Sequence, residues 1–328
     1  MLRAGGRALL ILPVVVTHAL FPTALLAGLY ATPFSDRIGW AAAAFEAAGF
    51  VAFLHVAGAW SWFGQTARRA LLVLLLLAAV APRPHARHAD EGRAATPLPE
   101  AIGRTAIGAL FLGLAAWGVA GRRQPRAPLD LLFPLAGGTF VAGQAGSTRI
   151  VNSHARHPAQ RFALDLQMLG EGGVRARGLL PRDLDRYAIF GHEVRSPCVG
   201  VVLAAVDGLP DHAPPERDPA HPAGNHVAID CGEGVVFLAH LQDGSVAVAR
   251  GDRVGAGQVL GRVGNSGNTT EPHLHIHAER APHDGRMSTR PGLPLTFAGR
   301  SLARNDRVAV EDHPGRRPRY TSPPEETE

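Results

Sequence analysis

The chain has 328 residues, 33 basic side chains against 28 acidic ones, 38 Gly, 26 Pro and 2 Cys. Its 46% hydrophobic content excludes a disordered chain, and glycines without a three-residue period exclude a collagen-like repeat. Every basic residue is Arg, and with 4 Trp and 3 Tyr there is little aromatic surface for stacking bases, so no nucleic-acid partner is expected.

Apolar residues crowd into the first third as Ala8–Tyr30, Ile38–Phe63, Ala70–Ala81 and Ala106–Ala120. A helix needs about 20 apolar residues to cross the hydrocarbon core of a bilayer, which is roughly 30 Å thick. The first two runs meet that, the fourth does so when Ala101–Thr105 is counted with it, and the third is short. The segment therefore reads as an α-helical membrane anchor of three or four spans, residues 1–122. Further long apolar runs weigh against the competing reading of Arg3, Arg7 and the first run as a cleavable signal peptide. Four spans with the N-terminus inside keep the remaining chain in the cytoplasm, and three spans export it. The placement of arginines leans slightly to export under the positive-inside rule.

From about Pro125 the texture changes to short Val, Leu and Ile runs cut by Gly, Pro, Asp and Asn, as in Gly200–Ala205, His226–Asp230, Val235–Ala239 and Val259–Val263. Such spacing predicts an all-β domain over residues 123–307. A Pro-rich polar tail, residues 308–328, has the composition of a disordered segment. Cys198 and Cys231 either pair or remain as buried thiols. Two cysteines cannot supply a four-Cys zinc site, so any metal must be held by other side chains.

In Glu271-Pro-His-Leu-His-Ile-His-Ala278 the three histidines stand at spacing two, so on a strand His273, His275 and His277 share one face. One can bind a metal while the next addresses what the metal activates. A catalytic zinc usually takes three protein ligands, and the others are sought upstream. Asp165 interrupts the apolar stretch Phe162-Ala-Leu-Asp-Leu166, where an unpartnered carboxylate is costly to bury. His154 and His157 precede it closely enough for either to reach the same ion. His240 ends the apolar run Val235-Val-Phe-Leu-Ala-His240.

The ordered set of Asn152-x-His154…Ala-Leu-Asp165, Ser196-Pro-x-x-Gly-x-Val202, Gly224-Asn225, Ala239-His-Leu241, Gly251-Asp-x-Val-x-x-Gly-Gln258, Gly264-Asn-Ser-Gly-Asn268 and Pro272-His-Leu-His275 resembles the lysostaphin-type zinc metallopeptidases. The resemblance covers roughly residues 127–300. It implies an antiparallel β domain of the duplicated hybrid motif kind, with a groove that cleaves peptide cross-links of bacterial peptidoglycan through a zinc-activated water. Carried over, it implies His154, Asp165 and His275 as ligands of one Zn²⁺, and His240 and His273 as the histidines that handle water and the tetrahedral intermediate. The departure is Arg161, which stands four before Asp165 where more familiar members carry the first ligand. A branch with a longer His-to-Asp loop selects His154 over His157. His277 is expected beyond the metal.

The function expected is that of a membrane-anchored zinc metalloendopeptidase, with its peptidase domain outside the cytoplasmic membrane. Its partners would be peptidoglycan peptides, the lipid bilayer and components of a wall or division complex. The alternative is a metal-free, inactive module that scaffolds or activates wall hydrolases. A carrier domain, which the Gly251–Gln258 stretch also resembles, fails because there is no lysine to modify. A transporter or sensor would rest on Glu46 and His55 alone.

Overall fold

The structure is a computed structural model that describes residues 5–31, 36–80, 95–123, 127–280, 290–311 and 320–321. The apolar runs of the first third form helices. α1 (Gly5–Val15) continues through a π turn into α2 (Phe21–Ala31), followed by α3 (Arg37–Ala57), α4 (Gln65–Val80) and α5 (Leu98–Ala120). Three segments are long and apolar enough to cross a membrane: Arg7–Leu29, Arg37–Ala57 and Leu98–Ala120. The 16 residues of α4 reach only about 24 Å at 1.5 Å each. Leu9, Leu76, Leu77 and Leu110 point outward, so the surface of the helical layer is itself apolar, as lipid-facing helices require.

α3 and α5 lie side by side and run in the same direction. At one end Asp36 caps α3 through Gly39 N (2.6 Å) and also accepts from Thr96 N (2.7 Å), just before α5. Midway Glu46 meets Arg104 at 3.1 Å, so the carboxylate found in an apolar run is an interhelical ion-pair partner. The two backbones approach closely where glycines face each other: a Cβ on Gly108 would stand 2.8 Å from the Phe45 carbonyl oxygen. At the far end Gly118 packs against Val56. Between these parallel helices the chain must travel back, and α4 begins that return.

The far end is also where the β domain sits. Arg7, at the start of the first apolar segment, donates to Leu180 O at 2.5 Å. The carbonyls left open at the C-terminus of α3 are satisfied from the β domain, since Asn305 Nδ2 donates to Gly58 O (3.0 Å) and Val56 O (3.3 Å).

The β domain begins with β1 (Leu129–Leu131), β2 (Gly138–Gln144), β3 (Leu164–Met168), β4 (Glu193–Arg195), β5 (Gly200–Val206) and β6 (Asn225–Asp230). It continues with β7 (Gly234–Leu241), β8 (Arg253–Val254), β9 (Val259–Arg262), β10 (Leu274–Arg280), β11 (Gly292–Leu293), β12 (Leu295–Phe297), β13 (Arg307–Val310) and β14 (Tyr320–Thr321). Among the described residues the main sheet is antiparallel with order β14-β13-β2-β3-β10-β7-β6-β5-β8, and β11 adds to β10. The predicted runs at Gly200, His226, Val235 and Val259 are β5, β6, β7 and β9. Leu166, Leu238, Ile276, Phe140 and Val194 fill the core beneath it. The disulfide Cys198–Cys231, with Cα atoms 5.9 Å apart, ties the segment before β5 to the end of β6.

One boundary differs from the sequence reading. Residues 308–310, assigned there to the tail, belong to β13, whose Val308 and Val310 bury themselves beside Phe140 of β2. Two alternating valines are too short a run to signal a strand. Residues 312–319 and 322–328 of the expected tail lie outside the described residues.

Candidate active site

β3 and β10 are neighbours in the sheet, and their register sets Asp165 directly opposite His275. His154 reaches the same point from a short 3-10 turn, Ser153–Arg156. That turn is stapled by the fully buried Asn152, whose Oδ1 accepts from His154 N (3.1 Å) and whose Nδ2 donates to Gly146 O (2.8 Å) and Ala163 O (3.0 Å). The first residue of the Asn-x-His pattern therefore fixes the loop, and the third projects from it.

His154 Nε2 lies 2.9 Å from Asp165 Oδ2, and His275 Nδ1 lies 2.9 Å from Asp165 Oδ1. His157 is exposed on the rim of the groove above and does not join this cluster. Burial alone would push the Asp165 pKa up. The positive fields of His154 and His273, with hydrogen bonds from His154 and His275, outweigh it and hold the carboxyl well below its ordinary range. Burial likewise works to lower His154, but the Asp165 charge and its hydrogen bonds leave that imidazole raised. His275 is held down to about 3, by burial first. An anionic oxygen and a deprotonated ring nitrogen are the forms in which these groups donate to a metal.

One ligand atom from each of the three residues lies within 4.8 Å of the others, beside an open groove. Tetrahedral ligands at 2.0–2.1 Å from an ion stand about 3.3 Å apart, so this N₂O donor set fits a zinc-sized cation with little movement.

His240 and His273 flank the cluster, their ring centroids 4.9 Å apart. His240 takes φ 64°, a left-handed conformation unusual for a residue with a Cβ and frequent at functional sites. Its Nδ1 lies 2.9 Å from Ser266 O, and His273 Nδ1 lies 2.9 Å from Glu271 O. A carbonyl only accepts, so in each neutral ring Nδ1 carries the hydrogen and Nε2 keeps its lone pair. His273 Nε2 is 3.5 Å from Asp165 Oδ1. Burial, then the neighbouring His273 and His275, lower His240 far below its usual value, which keeps it an unprotonated acceptor. The groove encloses about 640 Å³ and is lined by His154, Arg156, His157, Gln160, His240 and Asn268 among others.

His277 continues the line away from the groove. It is buried, stacks on Phe237, and lies with Nδ1 3.0 Å from His275 Nε2 and Nε2 3.3 Å from Glu279 Oε1. Glu279 is 0% exposed. Sequence reasoning passed over it, although His275, His277 and Glu279 alternate along one face of β10, a period-two signal open to inspection.

Residues 184–287 match the family model described as Peptidase family M23, and the chain carries a domain of that family. The match spans His240, His273 and His275 and begins after His154 and Asp165, whose place in the site follows from the geometry above. Among solved structures the chain is similar to the catalytic domain of lysostaphin from Staphylococcus simulans: 17% identity, 50% of this chain and 87% of that one, TM-score 0.27. It is similar also to a zinc containing peptidase from Vibrio cholerae: 21% identity, 52% of this chain and 39% of that one, TM-score 0.25. The chain spans 37% of lysostaphin as determined in solution, at 21% identity over 37% of this chain and TM-score 0.24. No curated protein matches it.

Proposed function

We propose that this family M23 domain is a membrane-anchored zinc metalloendopeptidase that hydrolyses peptide cross-links of peptidoglycan. The observation that carries the reading is the convergence of His154 Nε2, Asp165 and His275 Nδ1 on one point, with two further histidines offering Nε2 toward it. Zinc held by these three residues would supply Lewis acidity toward a peptide carbonyl and make water nucleophilic near neutral pH.

The chain's own groups then do the rest. His240 Nε2, kept unprotonated by burial, accepts a proton from the attacking water. His273, tied at Nδ1 to Glu271 O, takes the remaining hydrogen of the attacking water at Nε2 and delivers it to the leaving amine, while His240 returns its proton to solvent as the product carboxylate departs. Asp165 beside His273 stabilises that protonated imidazole. Arg156 at the groove edge is placed to meet a carboxylate of the substrate stem.

The reading extends to placement. The β domain faces the extracytoplasmic side, and the start of the first helix faces the same side. The Arg7–Leu180 contact and the parallel α3 and α5 support an even number of crossings, with α4 as a short fourth pass. The disulfide supports an oxidising compartment.

The test is metal analysis of the purified chain together with hydrolysis of cross-linked peptidoglycan. The expected result is one zinc per chain and chelator-sensitive cleavage, with zinc lost from the Asp165→Ala, His275→Ala double variant. Absence of zinc, or zinc undiminished in that variant, overturns the reading in favour of a metal-free scaffold.

A further inference from the structure

We propose that the turn between α3 and α4 positions His273, so that seating of the β domain on its helical base and alignment of this histidine are one coupled equilibrium. The role of His273 rests on the peptidase reading above, while the coupling itself rests on contacts.

Residues 60–64 meet the β domain through the loop after β3. Arg175 N donates to Ser61 O at 2.9 Å, and the Arg175 guanidinium carbon lies 3.8 Å from the centroid of the Trp62 ring. The Arg175 side chain is only 1% exposed, and a cation so buried requires a partner held in place. Glu271 is that partner. Arg175 Nε lies 2.8 and 2.9 Å from its two oxygens and Nη2 2.6 Å from Oε2, while Gln167 Nε2 donates to Oε1 at 2.9 Å. The same Nη2 also donates to Leu179 O at 2.6 Å.

The backbone of Glu271 carries this fixation to the site. Its carbonyl oxygen accepts His273 Nδ1–H at 2.9 Å, and the Thr269 hydroxyl donates to it at 2.8 Å. Pro272 intervenes with a locked φ, and a residue before proline is itself confined to extended conformations. The Glu271 backbone is thereby stiffened, and the proposed coupling is that displacement of its anchored carboxylate carries the carbonyl with it. When Trp62 leaves the Arg175 face, the guanidinium can hydrate and turn, Glu271 follows, and the carbonyl that fixes the His273 tautomer moves away, leaving Nδ1 to the Thr269 hydroxyl 3.2 Å from it, which can donate or accept and so dictates neither tautomer. A ring with the hydrogen on Nε2 has no lone pair toward the groove. Trp62, Arg175 and Glu271 are thus positioning residues, and helix movement in the bilayer can gate the site through them.

The experiment uses the full chain in lipid nanodiscs, with Trp62→Ala compared with Trp62→Phe, which retains an aromatic face. Three quantities are read: zinc content, the kcat and KM for cross-linked stem peptides, and the ring ¹⁵N signals of His273. For Trp62→Ala the expectation is a loss of about 10- to 100-fold in kcat, the order that a small misplacement of a reacting group costs, with KM and zinc content unchanged. His273 should change from the single Nδ1–H form to a mixture, and Trp62→Phe should restore both signal and rate. An unaltered tautomer in Trp62→Ala overturns the coupling, as does an equal loss in both variants accompanied by loss of zinc. If the parent chain cleaves nothing, the peptidase reading fails while the ¹⁵N signals still decide the coupling.

Discussion

His275 and His277 share a hydrogen bond of 3.0 Å between Nε2 of the first and Nδ1 of the second. Its direction follows from what lies beyond. An ionised Glu279, buried beside it, would accept from His277 Nε2–H and leave His277 Nδ1 as an acceptor. With a metal taking the place of the hydrogen that His275 Nδ1 offers Asp165 in the metal-free protein, His275 would carry its hydrogen on Nε2 and donate it to His277. Replacing Glu279 with Gln removes the obligatory acceptor and lets the chain reverse, placing a hydrogen on His275 Nδ1. Partners of this kind are typically worth 10–100-fold in metal affinity, and a weakening of about that size is expected for Glu279→Gln. Competition with a chromophoric chelator measures it, and an unchanged affinity would show that His275 needs no such orientation.

The sequence displayed much of this. Strands β5, β6, β7 and β9 were legible because each is a run of Val, Ile or Leu bounded by turn residues. His275 and Asp165 stood out because a carboxylate in an apolar run and a His-x-His pattern need explaining. What stayed hidden depends on contacts between distant positions. Glu271 reads as a loop carboxylate until Arg175, 96 residues earlier, is seen beneath it. Trp62 reads as part of an apolar run that continues α3, whereas the helix ends at Ala57 and the tryptophan faces the β domain. The choice of His154 over His157 was legible only through the Asn-x-His resemblance, and its physical basis is the turn held by Asn152, whose Oδ1 accepts from His154 N and whose Nδ2 donates to Gly146 O and Ala163 O.

Acidification should destabilise the metal-free protein. His275 titrates at about 3 in the fold against an ordinary 6.5, so between these values the unfolded chain binds the extra proton and stability falls with pH. His240, also lowered, acts in the same direction. Asp165 is depressed, so its contribution is present above its ordinary value of 3.8 and is lost at lower pH still. His154 is raised, so its contribution is complete below 6.5 and is lost as pH rises through its folded value. Thermal unfolding of chelator-treated protein should therefore show a melting temperature that drops on going from pH 6.5 to 4.5, at up to about 1.4 kcal/mol per pH unit for each group. His275→Asn should flatten this limb; a limb of unchanged slope would assign the acid sensitivity elsewhere.

The helical base offers a separate test. A side chain at Gly108 would meet the Phe45 carbonyl of α3, so Gly108→Val must push the two helices apart. Overpacking of this sort costs about 1–3 kcal/mol. Disulfide trapping between cysteines introduced at Val56 and Gly118, which face each other at the far end, should lose efficiency in that background. Trapping at the parent level would mean that the helices meet less closely than the glycines indicate.

The proposed topology makes the sharpest prediction about the whole molecule. An odd number of crossings would put Arg7 and Leu180 on opposite faces of the bilayer, yet Arg7 Nη2 donates to Leu180 O at 2.5 Å. Arg122 and Asp306 form an ion pair at the same end, so the last helix also finishes there. If α4 lay along one face without crossing, α5 would have to start where α3 ends. Its start instead lies at the opposite end, held by Asp36 at the head of α3. Short epitope tags at the two ends of the chain should therefore behave alike. In intact spheroplasts an added protease is expected to remove both, whereas removal of the C-terminal tag alone would mean three crossings, and protection of both would leave a wall peptidase enclosed away from its substrate.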